Sequence, residues 1–172
     1  MKLTDNKISE IIRQTGSNFE IDEFLKTRHN LSEKAVWELC LFRKWAGYPF
    51  FISSAWRSEG AHSVGAFDIF IFDEWQLTQP DPYELWNLAT TWNFGGVGIY
   101  FDTEAFGNDA VMLHVDVLEY QNALGKQRPL RWIRNEHYYY QSLNKKDYFW
   151  SADIDEGTSL GKEIERWKGN AK

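Results

Sequence analysis

The sequence predicts one α+β domain, in which helices and strands interleave without a regular βα repeat. Three observations support this class. The chain has 172 residues, which is the length of a single domain. Apolar residues recur at helical spacing between residues 5 and 46. Short apolar runs typical of buried strands follow between residues 49 and 118. We expect the domain to occupy residues 1–150, and residues 151–172 to form an appended tail with a short helix.

Two helices are predicted in the first part of the chain. Residues 5–15 carry isoleucines at helical spacing, and Gly16 ends the helix. Ser32 is a suitable N-cap for a second helix of about 14 residues, which Gly47 stops. A short amphipathic segment, residues 19–25, lies between them. The second helix has an apolar side formed by Val36, Leu39, Cys40 and Phe42.

Four strands and a third helix follow. The helix is predicted over Tyr83–Thr91, and Pro82 is a suitable residue to begin it. A turn over residues 78–82 precedes it. The strands are predicted at Pro49–Ser54, Ala66–Phe72, Gly95–Phe101 and Val111–Leu118. After Trp132 the pattern weakens, and residues 136–141 and 147–150 fit a strand or an irregular chain equally.

Composition excludes several classes of function. A net charge of −6 argues against non-specific nucleic-acid binding, which requires a basic face. The single cysteine, Cys40, excludes an internal disulfide and a thiolate zinc site, and we interpret it as a buried, inert thiol.

The N-terminus lacks the apolar stretch of a signal peptide, and no run has the length of a membrane span. We therefore expect synthesis in the cytoplasm without a signal peptide. The aromatic share of 17% fits a tryptophan-rich core or a ligand-binding surface.

Two stretches place histidine and aspartate within apolar runs. One contains His62 and Asp68, and the other contains His114 and Asp116. A buried imidazole or carboxylate is costly unless a partner satisfies it. Two histidines and one aspartate that converge would form a three-ligand zinc site with a fourth position open to water, which is the catalytic arrangement.

Five motifs in order resemble the zinc D-alanyl-D-alanine carboxypeptidase family, whose members cut peptidoglycan stem peptides and share a fold with the hedgehog signalling domain. Members of the family show Ser-Gly-Tyr-Arg-Ser, His-x-x-Gly-x-Ala-x-Asp-Ile, Gly-Gly-Ile-Gly-x-Tyr, Phe-Val-His-Val-Asp-x-Arg and a closing Arg-Trp. This chain carries the corresponding stretches Ser54–Ser58 (SAWRS), His62–Ile69 (HSVGAFDI), Gly95–Tyr100 (GGVGIY), Leu113–Val117 (LHVDV) and Arg131–Trp132. The resemblance implies a small antiparallel sheet with flanking helices, and one Zn²⁺ bound by His62, Asp68 and His114.

One departure from the family pattern concerns the aspartate. The family separates this histidine and aspartate by seven positions, whereas His62 and Asp68 are six apart. On a regular strand, a slip of one residue turns a side chain to the other face. A compensating change in the loop before Gly65 would restore the aim of Asp68. Without it, the domain would be a non-catalytic relative.

The remaining site residues have two interpretations each. Asp116 is two residues after His114 and is the best internal candidate for a general base, although we favour a role in orienting a ligand imidazole. Glu104 and Asp109 are fallback bases. Arg57 stands where the family has a substrate-facing arginine, and its alternative is a surface ion pair.

Aromatic, glycine and histidine residues near the motifs have weaker interpretations. Trp132 and Tyr100 are candidates for the walls of a substrate cleft, with core packing favoured for Tyr100. The glycines at 95, 96 and 98 lack the nucleotide-binding pattern and indicate close backbone approach. His137 falls outside the motifs and is interpreted as an ordinary histidine.

The resulting prediction is a zinc metallopeptidase that hydrolyses peptide bonds in bacterial peptidoglycan, as a carboxypeptidase or an endopeptidase. Arg57, Trp132 and Tyr100 would contact substrate, and Asp116 would assist. The lack of a signal peptide favours a phage-type lytic protein or a virion component that acts on the cell wall after release. One alternative is a binding or structural protein that keeps the fold without hydrolysis. Another is an enzyme that acts on a cytoplasmic dipeptide.

Overall fold

A computed structural model describes residues 2–63, 65–70, 82–105, 107–117, 130–135, 137–141 and 149–150. It confirms the α+β class, with three α-helices and a mixed β-sheet. The helices are α1 (Asp5–Thr15), α2 (Glu33–Ala46) and α3 (Pro82–Thr91). The strands are β1 (Phe51–Ser54), β2 (Ala66–Phe70), β3 (Gly96–Ala105), β4 (Asn108–Asp116), β5 (Leu130–Asn135), β6 (His137–Gln141) and β7 (Phe149–Trp150). Short 3₁₀ turns lie at Ile21–Phe24, Arg28–Asn30 and Gly60–Ser63.

The helix ends follow from local chemistry. The hydroxyl of Thr4 accepts a hydrogen bond from the backbone N–H of Lys7 at the start of α1. Ser32 caps α2 in the same way through the N–H of Ala35. Gly16 and Gly47 end the two helices with φ of 63° and 70°, in the left-handed region that glycine enters without strain. Both helices therefore occupy their predicted positions.

The sheet has the strand order β1-β2-β4-β3-β5-β6-β7. All neighbouring pairs are antiparallel except β3 and β5, which run parallel. The prediction of a small antiparallel sheet is therefore corrected, because the sheet is mixed and contains one parallel pair. Asp116, the last residue of β4, pairs with Gly96 at the start of β3. Leu130, the first residue of β5, pairs with Gly96 from the other side. A strand that starts there must run in the direction of β3.

One face of the sheet packs against the helices. Alternate residues of the central strands enter the main core, and these are Phe67, Ile69, Val97, Ile99, Val111, Leu113, Val115 and Ile133. The helices contribute isoleucines from α1, Leu39 and Phe42 from α2, and Leu85 from α3. Because side chains alternate along a strand, Asp68 and His114 lie on the opposite face.

Some predictions fall on residues that the structure does not describe. These are the turn over 78–81, the ends of two predicted strands at 71–72 and 118, residues 136 and 147–148 of the two weakly patterned segments, and the tail from 151. The strand β5 was not predicted as such, and residues 137–141 and 149–150 form strands. Among the described residues, no helix has the length and apolar character needed to cross a membrane.

Candidate metal centre

One row of paired residues runs across the sheet and contains the candidate site. Asp68 on β2 pairs with His114 on β4, His114 pairs with Gly98 on β3, and Gly98 pairs with Trp132 on β5. Residues paired across neighbouring strands project from the same face. The sheet register therefore brings together Asp68, His114 and Trp132, which are far apart in the sequence.

His62 reaches the same point from a turn rather than from a strand. It lies in the 3₁₀ turn Gly60–Ser63, which Gly60 enters with φ of 64°. Its Nδ1 donates a hydrogen bond to the carbonyl oxygen of Ala55. A carbonyl can only accept, so Nδ1 carries the proton and the lone pair of Nε2 is available.

The three side chains converge. His114 Nδ1 lies 2.8 Å from Asp68 Oδ1, and His62 Nε2 lies 3.3 Å from Asp68 Oδ2. The imidazole rings are 5.1 Å apart between centroids, at an angle of 71°. One donor atom from each residue lies within 4.8 Å of the other two, and all three residues are buried. This group could hold a metal ion.

The short spacing between His62 and Asp68 does not turn the carboxylate away from the imidazoles. Strand alternation begins only at Ala66, so the position of His62 depends on its turn. Gly65 closes that turn through a hydrogen bond from its N–H to the carbonyl of Ala61, 2.9 Å long. A Cβ atom on Gly65 would lie 2.8 Å from the Cβ of Ala35, so glycine allows β2 to begin close against α2.

The electrostatics of the cluster favour an ionised carboxylate at Asp68 and a protonated imidazole at His114. Burial opposes ionisation of Asp68, but the hydrogen bond from His114 outweighs it and holds the pKa of this carboxyl below its usual range. Burial by itself would lower the pKa of His114, but hydrogen bonds with Asp116 and Asp68 outweigh burial and raise this pKa to about 9. A metal ion would have to replace that proton.

Asp116 lies behind His114 rather than among the converging atoms. Its Oδ2 is 3.7 Å from His114 Nε2, whereas Asp68 faces the other ring nitrogen. A carboxylate at Nε2 keeps the proton there and frees the Nδ1 lone pair for a metal. Asp116 thus lies where an orienting group would lie, and its role stays a prediction. Glu104 and Asp109 pair near the β3–β4 hairpin, six positions along β3 from Gly98, or roughly 20 Å at strand spacing.

Trp132 and Tyr100 form an aromatic border to the row. The Trp132 ring lies 5.3 Å from that of His114 between centroids, and its Nε1 donates to the Tyr100 hydroxyl at 3.1 Å. Both are buried. A Cβ atom on Gly98 would lie 2.3 Å from the Trp132 ring, so a glycine here lets the indole lie directly against β3.

Two features were not foreseen from the sequence. Arg57, which lies after β1, directly contacts the cluster, because its Nη2 donates to Asp68 Oδ2 at 2.6 Å and to His62 Nε2. Arg131 of the Arg-Trp motif donates to the carbonyl of Thr90 at 2.7 Å and thus binds the end of α3. The positions of the Arg57 and Arg131 guanidinium groups could not be predicted from the motifs, because a motif does not specify the direction of a side chain.

Comparison of the chain with models of protein families, with curated proteins and with solved structures gives no match.

Proposed function

We propose that the chain is a zinc-dependent hydrolase of peptide bonds in bacterial peptidoglycan stem peptides or cross-links, with a hedgehog/DD-peptidase-like fold. The single observation that carries the proposal is the convergence of His62, Asp68 and His114, with donor atoms within 4.8 Å of one another. The five ordered motifs supply the choice of substrate. Carboxypeptidase and endopeptidase action both fit them.

The donor set suits zinc. Imidazole nitrogen and carboxylate oxygen are ordinary zinc ligands, and three protein ligands are typical of catalytic sites. Nδ1 of His62 donates its proton to the carbonyl of Ala55. The lone pair of Nε2 therefore faces the cluster and can coordinate a metal ion. When bound, zinc would lower the pKa of a water molecule and polarise a scissile carbonyl.

The other residues of the site have assignable roles in this proposal. Asp116 orients the imidazole of His114 from behind. Trp132 and Tyr100 border the row and would limit the space beside the ligands. Arg57 carries the positive charge that a substrate carboxylate or a developing oxyanion requires. The substrate would be the cell wall, on which the protein would act after its release from the cell or as a component of a virion.

The test combines metal analysis with digestion of purified muropeptides, followed by mass spectrometry of the products. We expect about one zinc per chain and shortened stem peptides. A chelator should abolish cleavage and added zinc should restore it. His114→Ala should be inactive, whereas His29→Ala, a histidine on the exposed surface, should remain active. Unchanged muropeptides in the presence of bound zinc would refute the proposal.

A second candidate is a non-catalytic binding or structural protein. The contact of Arg57 with Asp68 favours it, because a guanidinium can neutralise the buried carboxylate without a metal ion. This candidate predicts a folded protein that takes up no zinc and binds intact cell wall without releasing peptides. Turnover of a free dipeptide alone would instead support the cytoplasmic enzyme.

A further inference from the structure

The Arg57 guanidinium contacts the atoms that a metal ion would need. Its Nη2 lies 2.6 Å from Asp68 Oδ2 and also contacts His62 Nε2. A guanidinium can only donate, so Nε2 of His62 accepts here, as does the carboxylate oxygen, and the proton of this imidazole lies on Nδ1 toward Ala55. A terminal guanidinium nitrogen carries two hydrogens, so a single nitrogen can donate one to each acceptor.

A metal ion and this nitrogen cannot bind the same two lone pairs at once. Nη2 stands between a neutral imidazole nitrogen and a carboxylate oxygen, which are two of the three candidate ligands. Nε2 has a single lone pair, so coordination of a metal ion by His62 requires the lone pair that Nη2 engages. The two cations must therefore compete.

The arginine is placed to leave the site easily. Its side chain is 56% exposed, whereas those of Asp68 and His62 are 8% and 5% exposed. It lies outside the helices and strands, between β1 and the turn that carries His62. Since a guanidinium is always charged and already borders water, its departure removes little buried surface.

The buried carboxylate explains why a resident cation is useful. An ionised carboxylate away from water is costly unless it is paired. Arg57 supplies that charge, and metal binding would exchange one cation for another rather than fill an uncompensated site.

We infer that Arg57 is a displaceable internal cation that competes with the metal for His62 and Asp68 and thereby limits metal affinity. This inference rests on the metal site of the proposed function. It concerns metal uptake, and it does not depend on what the protein hydrolyses.

The test is a zinc titration of chelator-stripped protein against a zinc-binding dye. Arg57→Met removes the charge and the donors but keeps the length of the side chain. Arg13→Met, on the exposed side of α1, is the matched control because it changes the net charge equally. We expect Arg57→Met to bind zinc about tenfold more tightly than the unaltered protein, since charge-assisted hydrogen bonds no longer have to be broken. Arg13→Met should leave the affinity unchanged.

A second measurement separates competition from general damage. Stripped Arg57→Met should melt at a lower temperature than the stripped unaltered protein, and saturating zinc should remove most of that difference. Equal or weaker zinc affinity in Arg57→Met would overturn the inference, as would a melting deficit that zinc leaves unchanged. Tighter zinc binding by Arg57→Met, together with no hydrolysis of muropeptides by the zinc-loaded unaltered protein, would support the inference while refuting the proposed function. Absence of zinc binding in both proteins would refute both.

Discussion

Asp5 and Asp68 have the same kinds of partner in very different surroundings. Asp5 is bound by Arg28 at 2.6 and 3.0 Å and lies 2.8 Å from His29. Asp68 is contacted by Arg57, His62 and His114 at 2.6 to 3.3 Å. The side chain of Asp5 is 45% exposed, and that of Asp68 is 8% exposed.

The difference shows that burial, rather than the choice of residues, distinguishes the candidate site. Water solvates the exposed Asp5 and screens its ion pairs, so its partners need only lie nearby. The buried Asp68 must be compensated by protein groups. The sheet register and one turn supply these groups, and the resulting convergence of lone pairs is what a metal ion requires.

The largest expected effect on zinc affinity comes from removing the charge of Asp68, and the same substitution at Asp5 is its control. Asp68→Asn should weaken zinc binding by more than about 100-fold, because loss of a ligand exceeds the effect of losing an outer partner. Asp5→Asn should leave the affinity unchanged. Dye-competition titrations on both stripped variants provide the measurement. Similar affinities in the two variants would show that Asp68 is not a ligand.

The next effect is the dependence of zinc binding on pH. Burial lowers the pKa of His114, but Asp116 and Asp68 raise it to about 9, and zinc must displace that proton. Below this pKa the affinity should fall about tenfold per pH unit, or about 100-fold from pH 8 to pH 6. Titrations across this range test it, and a flat profile would contradict the assigned role of His114.

The same shift predicts the opposite trend for the stability of stripped protein. A pKa raised above the ordinary value of 6.5 gives stabilisation that is complete below that value and is lost as pH rises through about 9. Urea midpoints of chelator-treated protein should therefore decrease over this interval. For Asp68, whose pKa is lowered, stabilisation is complete above its ordinary value of 3.8 and is lost on acidification.

The sequence predicts the helix ends and the candidate ligands better than it predicts the order and direction of the strands. The end of α1 at Gly16 and both ends of α2, Ser32 and Gly47, were predicted because local hydrogen bonds between residues adjacent in the chain decide them. The candidate ligands were also named from motifs. The parallel β3–β5 pair was missed because strand order depends on a connection and not on local pattern.

The effect of the short spacing at Asp68 could not be predicted for a similar reason. The sequence does not reveal whether His62 lies on a strand or on a turn, and only the turn makes the spacing harmless. The position of the Arg57 side chain depends on tertiary contacts that the motif does not encode.

Asp116→Asn should have an intermediate effect. The substitution keeps the shape of the side chain but removes the charge at His114 Nε2, and outer partners of this kind contribute about 10- to 100-fold in metal affinity. Asp102→Asn is a suitable control, because Asp102 is paired with Arg134 at 3.2 Å away from the ligands. Equal affinities in the two variants would argue against an orienting role for Asp116.

Gly98→Ala tests the packing beside the ligands. The added Cβ would overlap the Trp132 ring at 2.3 Å, and overpacking of this kind costs about 1–3 kcal/mol in unfolding free energy. Urea unfolding measures the loss. Trp132→Leu should relieve the clash, so the double variant should lose less than the two single variants added together. Strict additivity would mean that the indole does not lie against Gly98.

The smallest effect is expected at Asp5, and it defines the other side of the comparison. Hydrogen bonds from Arg28 and then His29 hold the pKa of Asp5 below its usual range. Any stabilisation is therefore present above the ordinary value of 3.8 and is lost as pH falls below it. Because the group is exposed, Asp5→Asn should shift the urea midpoint only slightly, and a salt concentration of about 1 M should remove the shift, since the Debye length is then roughly 3 Å. A large shift that persists in salt would show that the Asp5 cluster is compensated as tightly as the buried one, and burial alone would then not separate the two aspartates.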